Sequence, residues 1–212
     1  MTEYENEPIR GLPGLLPAGE EILWQGAPDW RALARAAFRT RLVAGYFMVL
    51  AGFALASAMV THTGYTGLQM TIALGVVGLV LLHVLAWASA RTTIYTLTNR
   101  RIVLRIGIAV PKCVNLPLGM IGSVDLATRA DGTGDVALVI AGPAKLGILA
   151  LWPHARPWRI VTPQPMLRAL PDGQSVAALI ARTCRAAHMA GNGAAVAAPA
   201  QRSPAFAEAA AA

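Results

Sequence analysis

The sequence predicts an α+β membrane protein, in which a hairpin of two transmembrane helices precedes a small cytoplasmic β domain closed by a C-terminal helix. Three observations predict this fold class. Two long runs without a charged residue occupy 42–61 and 68–90. Short β-rich segments separated by turn residues fill much of the chain after Arg91. An apolar stripe with helical spacing then follows within 172–189.

Both uncharged runs are long enough to span a bilayer. A transmembrane helix needs about 20 mostly apolar residues, and each run reaches that length. The short polar turn 62–67 joins them, so the hairpin 42–90 should consist of two antiparallel neighbours. The alternative is a pair of buried helices in a soluble protein, which a small domain rarely accommodates.

Basic residues flank the predicted hairpin on its outer ends and are absent from its connecting turn. The flanking arginines are Arg31, Arg35, Arg39 and Arg41 before it, and Arg91, Arg100, Arg101 and Arg105 after it. Because cationic flanks stay on the cytoplasmic side, both termini are expected in the cytoplasm. The hairpin itself is expected in a bacterial inner membrane. The chain of 212 residues carries a net charge of +7, which suits contact with anionic lipids.

The segment before the hairpin divides into a cytoplasmic leader, 1–27, and an amphipathic helix, 28–41. Within the leader, Glu20 to Gly26 is either a short strand or an extended docking segment. Asp29 is the expected N-cap of the helix. One helical face carries Trp30, Leu33, Ala34, Ala37 and Phe38, and another carries Arg31, Arg35 and Arg39. This pattern predicts a helix at the membrane surface, with packing on the C-terminal domain as the alternative.

The region 92–189 reads as a small barrel or sandwich of short strands. Strands are predicted at Thr92–Leu97, Ile102–Ile108, Lys112–Leu116, Ile121–Ala127, Asp135–Ile140, Ile148–Trp152 and Trp158–Val161. The segment 163–171 is predicted to be a proline-rich connection, and 172–189 a helix that closes the open end. The Ala-rich tail 190–212 is expected to be disordered.

Two segments carry a resemblance to bacterial pleckstrin-homology (PH) domains attached to membrane hairpins. The first is YTLTNRRIVLR at 95–105, which resembles the opening hairpin of those domains, and the second is the leader LPAGEEILWQG at 16–26. The resemblance implies a seven-stranded barrel capped by a C-terminal helix. With the following APDWR at 27–31, the leader is similar to one group of these proteins, the photosynthetic complex assembly proteins of purple bacteria.

That resemblance implies an assembly factor for the photosynthetic reaction centre and its core light-harvesting complex. Its expected partners are subunits of those complexes and the lipids of the intracytoplasmic membrane, and no cofactor is required. Exposed strand edges and small residues in the spans also permit a homodimer. The alternatives are a bacteriochlorophyll carrier and a general membrane-bound PH module that binds lipid or protein.

The pigment alternative depends on His83, which lies within the second span. An ionisable residue inside a membrane is a functional candidate, and neutral imidazole can ligate the magnesium of bacteriochlorophyll. Trp87, four residues later, shares its helical face and could lie against the ring. Antenna polypeptides place a small residue four positions before such a histidine, whereas Leu79 stands there in this chain. The other interpretation is a histidine that bonds a neighbouring helix or reaches toward the head groups.

Arg100 and Arg101, at a hairpin tip just past the membrane, are candidates for contact with lipid phosphates or remain solvated in a turn. The sequence contains no nucleic-acid-binding signature, so no nucleic acid partner is expected. Cys113 and Cys184 form no CxxC motif or metal-ligand cluster. No pattern of nucleophile, base or paired carboxylates predicts a catalytic or metal site, and the chain is therefore not expected to be an enzyme.

Overall fold

The computed structural model of the chain describes residues 9–62, 64–142 and 147–197. Its longest elements are two antiparallel helices, α2 and α3. They follow a short helix, α1 (Trp30–Ala36), and span Thr40–Thr61 and Thr66–Thr92. The predicted runs 42–61 and 68–90 both lie inside them.

Both long helices are apolar and long enough to cross a membrane, with mean hydropathies of 2.0 and 2.2. The chain itself buries 0% of the most apolar stretch of α2 and 11% of that of α3. Helices in the core of a soluble protein would be mostly buried. Their exposure therefore favours membrane association over the soluble alternative.

Within the described residues, seven antiparallel strands form two sheets. The four-stranded sheet has the order β1-β2-β3-β4 and the three-stranded sheet the order β5-β6-β7. The strands are β1 (Ile22–Gly26), β2 (Ile94–Thr98), β3 (Arg101–Ile106), β4 (Lys112–Pro117), β5 (Ile121–Thr128), β6 (Gly134–Ile140) and β7 (Met166–Leu170). A 3₁₀ turn, Leu118–Met120, connects the sheets, and α5 (Gly173–Ala197) packs against β5 and β6.

The first strand comes from the leader, before the hairpin. It pairs with β2, which follows the hairpin: Trp24 lies opposite Leu97, and Gly26 lies opposite Tyr95. The leader thus forms a strand, one of the two interpretations of Glu20 to Gly26. The helices α1 to α3 are an insertion between two neighbouring strands of one sheet.

Two features of the predicted barrel need correction. The sheets are separate and do not close into a barrel, and 92–189 supplies six of the seven strands, with the leader supplying the other. One continuous core nevertheless fills the space between the sheets and α5. Its fully buried members include Tyr95, Leu104, Leu138, Leu167 and Ile180.

Three predictions for the chain after residue 140 differ from the structure, two of them strands and one a connection. The segment predicted as a strand at 148–152 contains a short helix, α4 (Ile148–Leu151). The segment at 158–161 lies outside any strand: Trp158 has φ = +64° and is 90% exposed, and Val161 is 95% exposed. A β-rich composition does not make a strand where no neighbouring strand or core accepts the side chains.

The third difference is β7, which lies in the predicted proline-rich connection. Its five residues, Met166 to Leu170, are all buried. Pro163 and Pro165 precede the strand rather than interrupt it, and proline is tolerated at a strand's first residue. The carbonyl of Pro165 accepts a hydrogen bond from Leu138 N–H at 2.9 Å.

The C-terminal helix α5 begins at Gly173, close to the predicted start, and continues to Ala197. It starts where two glycines touch: a Cβ added to Gly173 would lie 2.5 Å from the Cα of Gly134. Residues 198–212 of the predicted tail lie outside the described residues.

Candidate membrane-interface site

The short helix α1 connects the β domain to the hairpin. Asp29 caps it, as predicted, because Asp29 Oδ1 accepts the N–H of Ala32 at 2.7 Å. The N–H of Asp29 itself donates to the carbonyl of Ala169 at 2.8 Å. Ala169 belongs to β7, so the start of α1 is bonded directly to the three-stranded sheet.

The apolar face of α1 is used mainly for packing inside the chain. Leu33 and Phe38 are buried, together with Ala32 and Ala34, against the end of α3 and against Ala169. Phe38 also meets Trp152 edge-on, with ring centroids 5.6 Å apart. Phe38, predicted to contact the membrane surface, is thus 8% exposed and covered by protein. The alternative of packing on the C-terminal domain therefore describes the contacts with Ala169 and Trp152, while the other contacts are with α3.

Trp30 is the exception on that face. It is 36% exposed and lines a groove along α3 together with the two residues predicted for pigment binding, His83 and Trp87. These three side chains line an open groove of about 410 Å³. The other lining residues are all aliphatic: Val76, Leu79, Val80 and Val84.

A second pocket, of about 440 Å³, continues from the first and shares Trp30, Leu79 and His83 with it. Unlike the first pocket, it is partly basic, because three arginines line it. The residues that line this pocket but not the first are Arg31, Arg35, Thr40, Arg41 and Ala44. We call the two pockets together the interface groove. It lies between α1, the start of α2 and the middle of α3.

His83 stands where the apolar and basic halves of the groove meet. The ring is exposed, and its Nδ1 lies 2.7 Å from the carbonyl oxygen of Leu79. A carbonyl only accepts, so the proton belongs on Nδ1, and the lone pair is on Nε2. Because His83 shares a pocket with Arg41 in the first turn of α2, it lies near the basic end of the hairpin. Pigment ligation stays a prediction.

The basic residues predicted to face the membrane have different surroundings. Arg31 stacks on the ring of Trp30, with 5.3 Å from its Cζ to the ring centroid. Arg35 Nη2 lies 2.6 Å from Asp131 Oδ2, and both side chains are partly exposed. Arg39 has φ = +51° and stands as the N-cap of α2.

Arg100 and Arg101, at the turn between β2 and β3, differ from each other. Arg101 is bonded to Glu20 of the leader through Nε at 2.7 Å and Nη2 at 3.0 Å. Thr98 donates to the same carboxylate at 2.8 Å. Burial by itself raises the pKa of Glu20, but the hydrogen bonds from Arg101 and Thr98 outweigh it, so the pKa is lowered. Arg100 is exposed.

A buried polar network at the base of α3 was not predicted. Its centre is His154, which is fully buried. Its Nδ1 lies 2.7 Å from the hydroxyl of Tyr95, and its Nε2 lies 3.1 Å from Oγ1 of Thr93. Since the Tyr95 oxygen accepts the N–H of Arg168 at 3.1 Å, the tyrosine proton can be donated to Nδ1. Both ring nitrogens of a neutral His154 are then satisfied.

Burial lowers the pKa of His154 to about 3, and the positive charge of Arg168 acts in the same direction. Burial also raises the pKa of Tyr95. Arg168 bonds the carbonyl of Pro153 at 3.0 Å, and Asp135 accepts the N–H of Ala169 at 2.7 Å. The network therefore joins α3, both sheets and the loop after α4, and its role is structural.

Within the three ranges that the structure describes, no group of three or more His, Cys, Asp or Glu side chains could hold a metal ion. The interface groove, in contrast, combines an apolar slot with cationic side chains. This arrangement suits binding of amphipathic molecules or of other membrane segments.

Comparison with known proteins gives two matches. The sequence profile of the bacterial PH domain matches residues 40–183. A protein of Rhodobacter capsulatus described as "Uncharacterized 23.7 kDa protein in puhA 5′ region" is 39% identical over 191 residues, which cover 87% of this chain and 88% of the relative. No solved structure matches the chain.

Proposed function

The chain belongs to the bacterial PH domain family, and on that premise we propose that it is a membrane-held assembly factor for the photosynthetic reaction centre and its core light-harvesting complex. It acts as a scaffold through contacts with membrane helices and with cytoplasmic segments of the subunits. It is not an enzyme, since its mechanism is contact and timing rather than bond chemistry.

The observation that carries this role is the gene context of the relative. That protein is named for its position in the 5′ region of puhA, a gene of photosynthesis. A 39% identity over 87% of the chain supports a shared role. A general PH module outside photosynthesis is the alternative, and the neighbouring genes of this chain distinguish the two.

The exposed faces of the hairpin support contact with other membrane helices. On α2, Met48 and Phe53 are 74% and 72% exposed, and on α3 Leu74 is 64% exposed. Lipid or neighbouring helices must cover these side chains in a bilayer. Glycines with open space around them, Gly45 and Gly52, lie on α2 and allow another helix to approach closely. The same faces can serve a homodimer.

The insertion of the hairpin between β1 and β2 supports the proposed topology. Since these strands pair, the leader and the β domain lie at the same end of the hairpin. In the proposed topology this arginine-bearing end faces the cytoplasm, because cationic flanks favour that side, and the helices cross the inner (intracytoplasmic) membrane. The α1 helix packs against both α3 and β7, which holds the domain close to the bilayer.

Affinity isolation tests the proposal. The full chain, tagged at its C-terminus, is purified in mild detergent from phototrophically grown cells, and bound proteins are identified by mass spectrometry. We expect enrichment of reaction-centre and core-antenna subunits over cells that carry the tag alone. The variant Phe53→Ala should reduce that enrichment if α2 is the contact face, with Leu74→Ala as the matched change on α3. Absence of these subunits from every preparation would contradict the proposal.

A further inference from the structure

The interface groove has the features of a lipid site that is more specific than general attraction to a charged surface. Its apolar half runs along α3 from Val76 to Trp87. The part from His83 to Val76, which leads away from the arginine-bearing end, is about 10 Å long at 1.5 Å per residue, and that length fits the upper part of one acyl chain. Its basic half lies at the end of the hairpin that carries the arginines, where head groups reside.

The charges in the basic half are not balanced by the chain. Asp131 pairs with Arg35 at 2.6 Å. Among the described residues, neither Arg31 nor Arg41 has a carboxylate partner, although Arg31 stacks on Trp30. Two positive charges therefore face a pocket that continues into an apolar slot. A phosphodiester with an attached acyl chain complements both parts, because Arg binds phosphate oxygens through its planar fork of donors.

We propose that the interface groove binds one anionic diacyl phospholipid, with its phosphate on Arg31 and Arg41 and one acyl chain against Val76, Val80 and Val84. Nε2 of His83 then accepts a hydrogen bond from a head-group hydroxyl, since its lone pair stands between the two halves. The bound lipid fills the gap between Trp30 and α3 and so fixes α1 against the hairpin. The site rests on the proposed insertion of the hairpin into a membrane.

A pigment is the competing occupant, and the groove favours the lipid. The half of the groove next to His83 holds Arg31 and Arg41, whose charges suit a phosphate and have no counterpart in an uncharged ring system. The residue one turn before His83 is Leu79, whose side chain lines both pockets.

The test uses the full chain in nanodiscs of phosphatidylcholine alone or of equal parts phosphatidylcholine and phosphatidylglycerol. Native mass spectrometry after release from the disc counts the lipids that stay bound. We expect one retained phosphatidylglycerol per chain. The double variant Arg31→Gln/Arg41→Gln should weaken its retention about 30-fold, as the loss of two arginines near the surface implies. Arg182→Gln/Arg185→Gln, which removes the same charge from the exposed side of α5, should leave it unchanged.

A second pair of variants tests the apolar half without a change in charge. Val80→Trp fills the slot and should abolish retention. Val77→Trp makes the same change at a side chain of similar exposure, 58% against 56%, outside the groove, and should retain the lipid. Equal loss with both tryptophan variants, or equal retention of both lipids by the wild type, would overturn the proposal. The proposal would also be overturned by a purified chain that carries bacteriochlorophyll and loses it on the substitution His83→Leu.

The outcomes also separate this inference from the proposed function. A chain that alkaline carbonate extracts from membranes is not inserted, and then both fail. A chain that stays in the membrane and isolates reaction-centre subunits, but selects no lipid, contradicts the lipid site alone.

Discussion

Glu20 and Arg101 form a two-point ion pair across the base of the hairpin, with Nε–Oε1 and Nη2–Oε2 distances of 2.7 and 3.0 Å. Glu20 precedes the hairpin in the sequence and Arg101 follows it, so the pair closes the two ends of the inserted segment. The carboxylate is nearly buried, with 2% of its side chain exposed, while the Arg101 side chain is 25% exposed.

Removal of Arg101 should destabilise the protein because it leaves a buried carboxylate without a charge partner. We expect Arg101→Met to lower the free energy of unfolding by about 2 kcal/mol, which is below the cost of breaking a fully buried pair because Arg101 is partly exposed. Thermal unfolding in a mild detergent measures the loss. The control is Arg100→Met at the exposed neighbouring position, which should change stability by less than about 0.5 kcal/mol.

His154 should make stability depend on pH. Its pKa is about 3 in the folded chain and about 6.5 when unfolded. Between these values the unfolded chain binds the extra proton and the folded chain does not. The stability that neutral, buried His154 contributes is therefore fully present above pH about 6.5. It is lost as the pH falls toward 3, by up to about 1.4 kcal/mol per pH unit.

Chemical denaturation at several pH values between these limits measures that slope. The reference is His154→Gln, which keeps a polar side chain but has no titrating ring. Its free energy of unfolding should therefore depend less steeply on pH, by the contribution of about one bound proton. The same slope in both proteins would mean that His154 is not the group responsible.

Gly75 sets the contact between α2 and α3. A Cβ at this position would lie 3.0 Å from Cγ of Phe47, so a larger side chain must push the helices apart. We expect Gly75→Leu to lower the melting temperature in detergent. Gly52→Leu places the same side chain where no atom lies within 4 Å and should leave the melting temperature nearly unchanged. Equal effects would show that the hairpin does not pack as described.

The contact between Gly134 and Gly173 positions the C-terminal helix. Since a Cβ on Gly173 would lie 2.5 Å from Gly134 Cα, Gly173→Ala should shift α5 away from the sheet and cost about 1–3 kcal/mol. The melting temperature of the full chain measures this cost. Gly119→Ala, at a position with nothing within 4 Å, is the comparison and should have little effect.

Local signals in the sequence were sufficient for the elements that depend on local chemistry. The two long helices follow from uncharged runs, and the cap at Asp29 follows from its side chain and position. The pairing of Trp24 with Leu97 could not be predicted in the same way, because the whole hairpin separates the two strands. The β7 strand was missed because Pro163 and Pro165 give the segment the appearance of a connection.

The candidate site was also predictable only in part. The spacing of His83 and Trp87 places them on one face of α3, which the sequence alone indicates. The approach of Trp30 to that face depends on how the leader and β7 hold α1. His154 carried no local signal at all, since its partners Tyr95 and Thr93 are 59 and 61 positions away.

Deletion of the gene in a phototrophic host tests the central claim most directly. Near-infrared absorbance of isolated membranes measures assembled reaction centre and core antenna. We predict lower absorbance of both in the deletion strain, restored by the wild-type gene. Unchanged absorbance in the deletion strain would contradict the account.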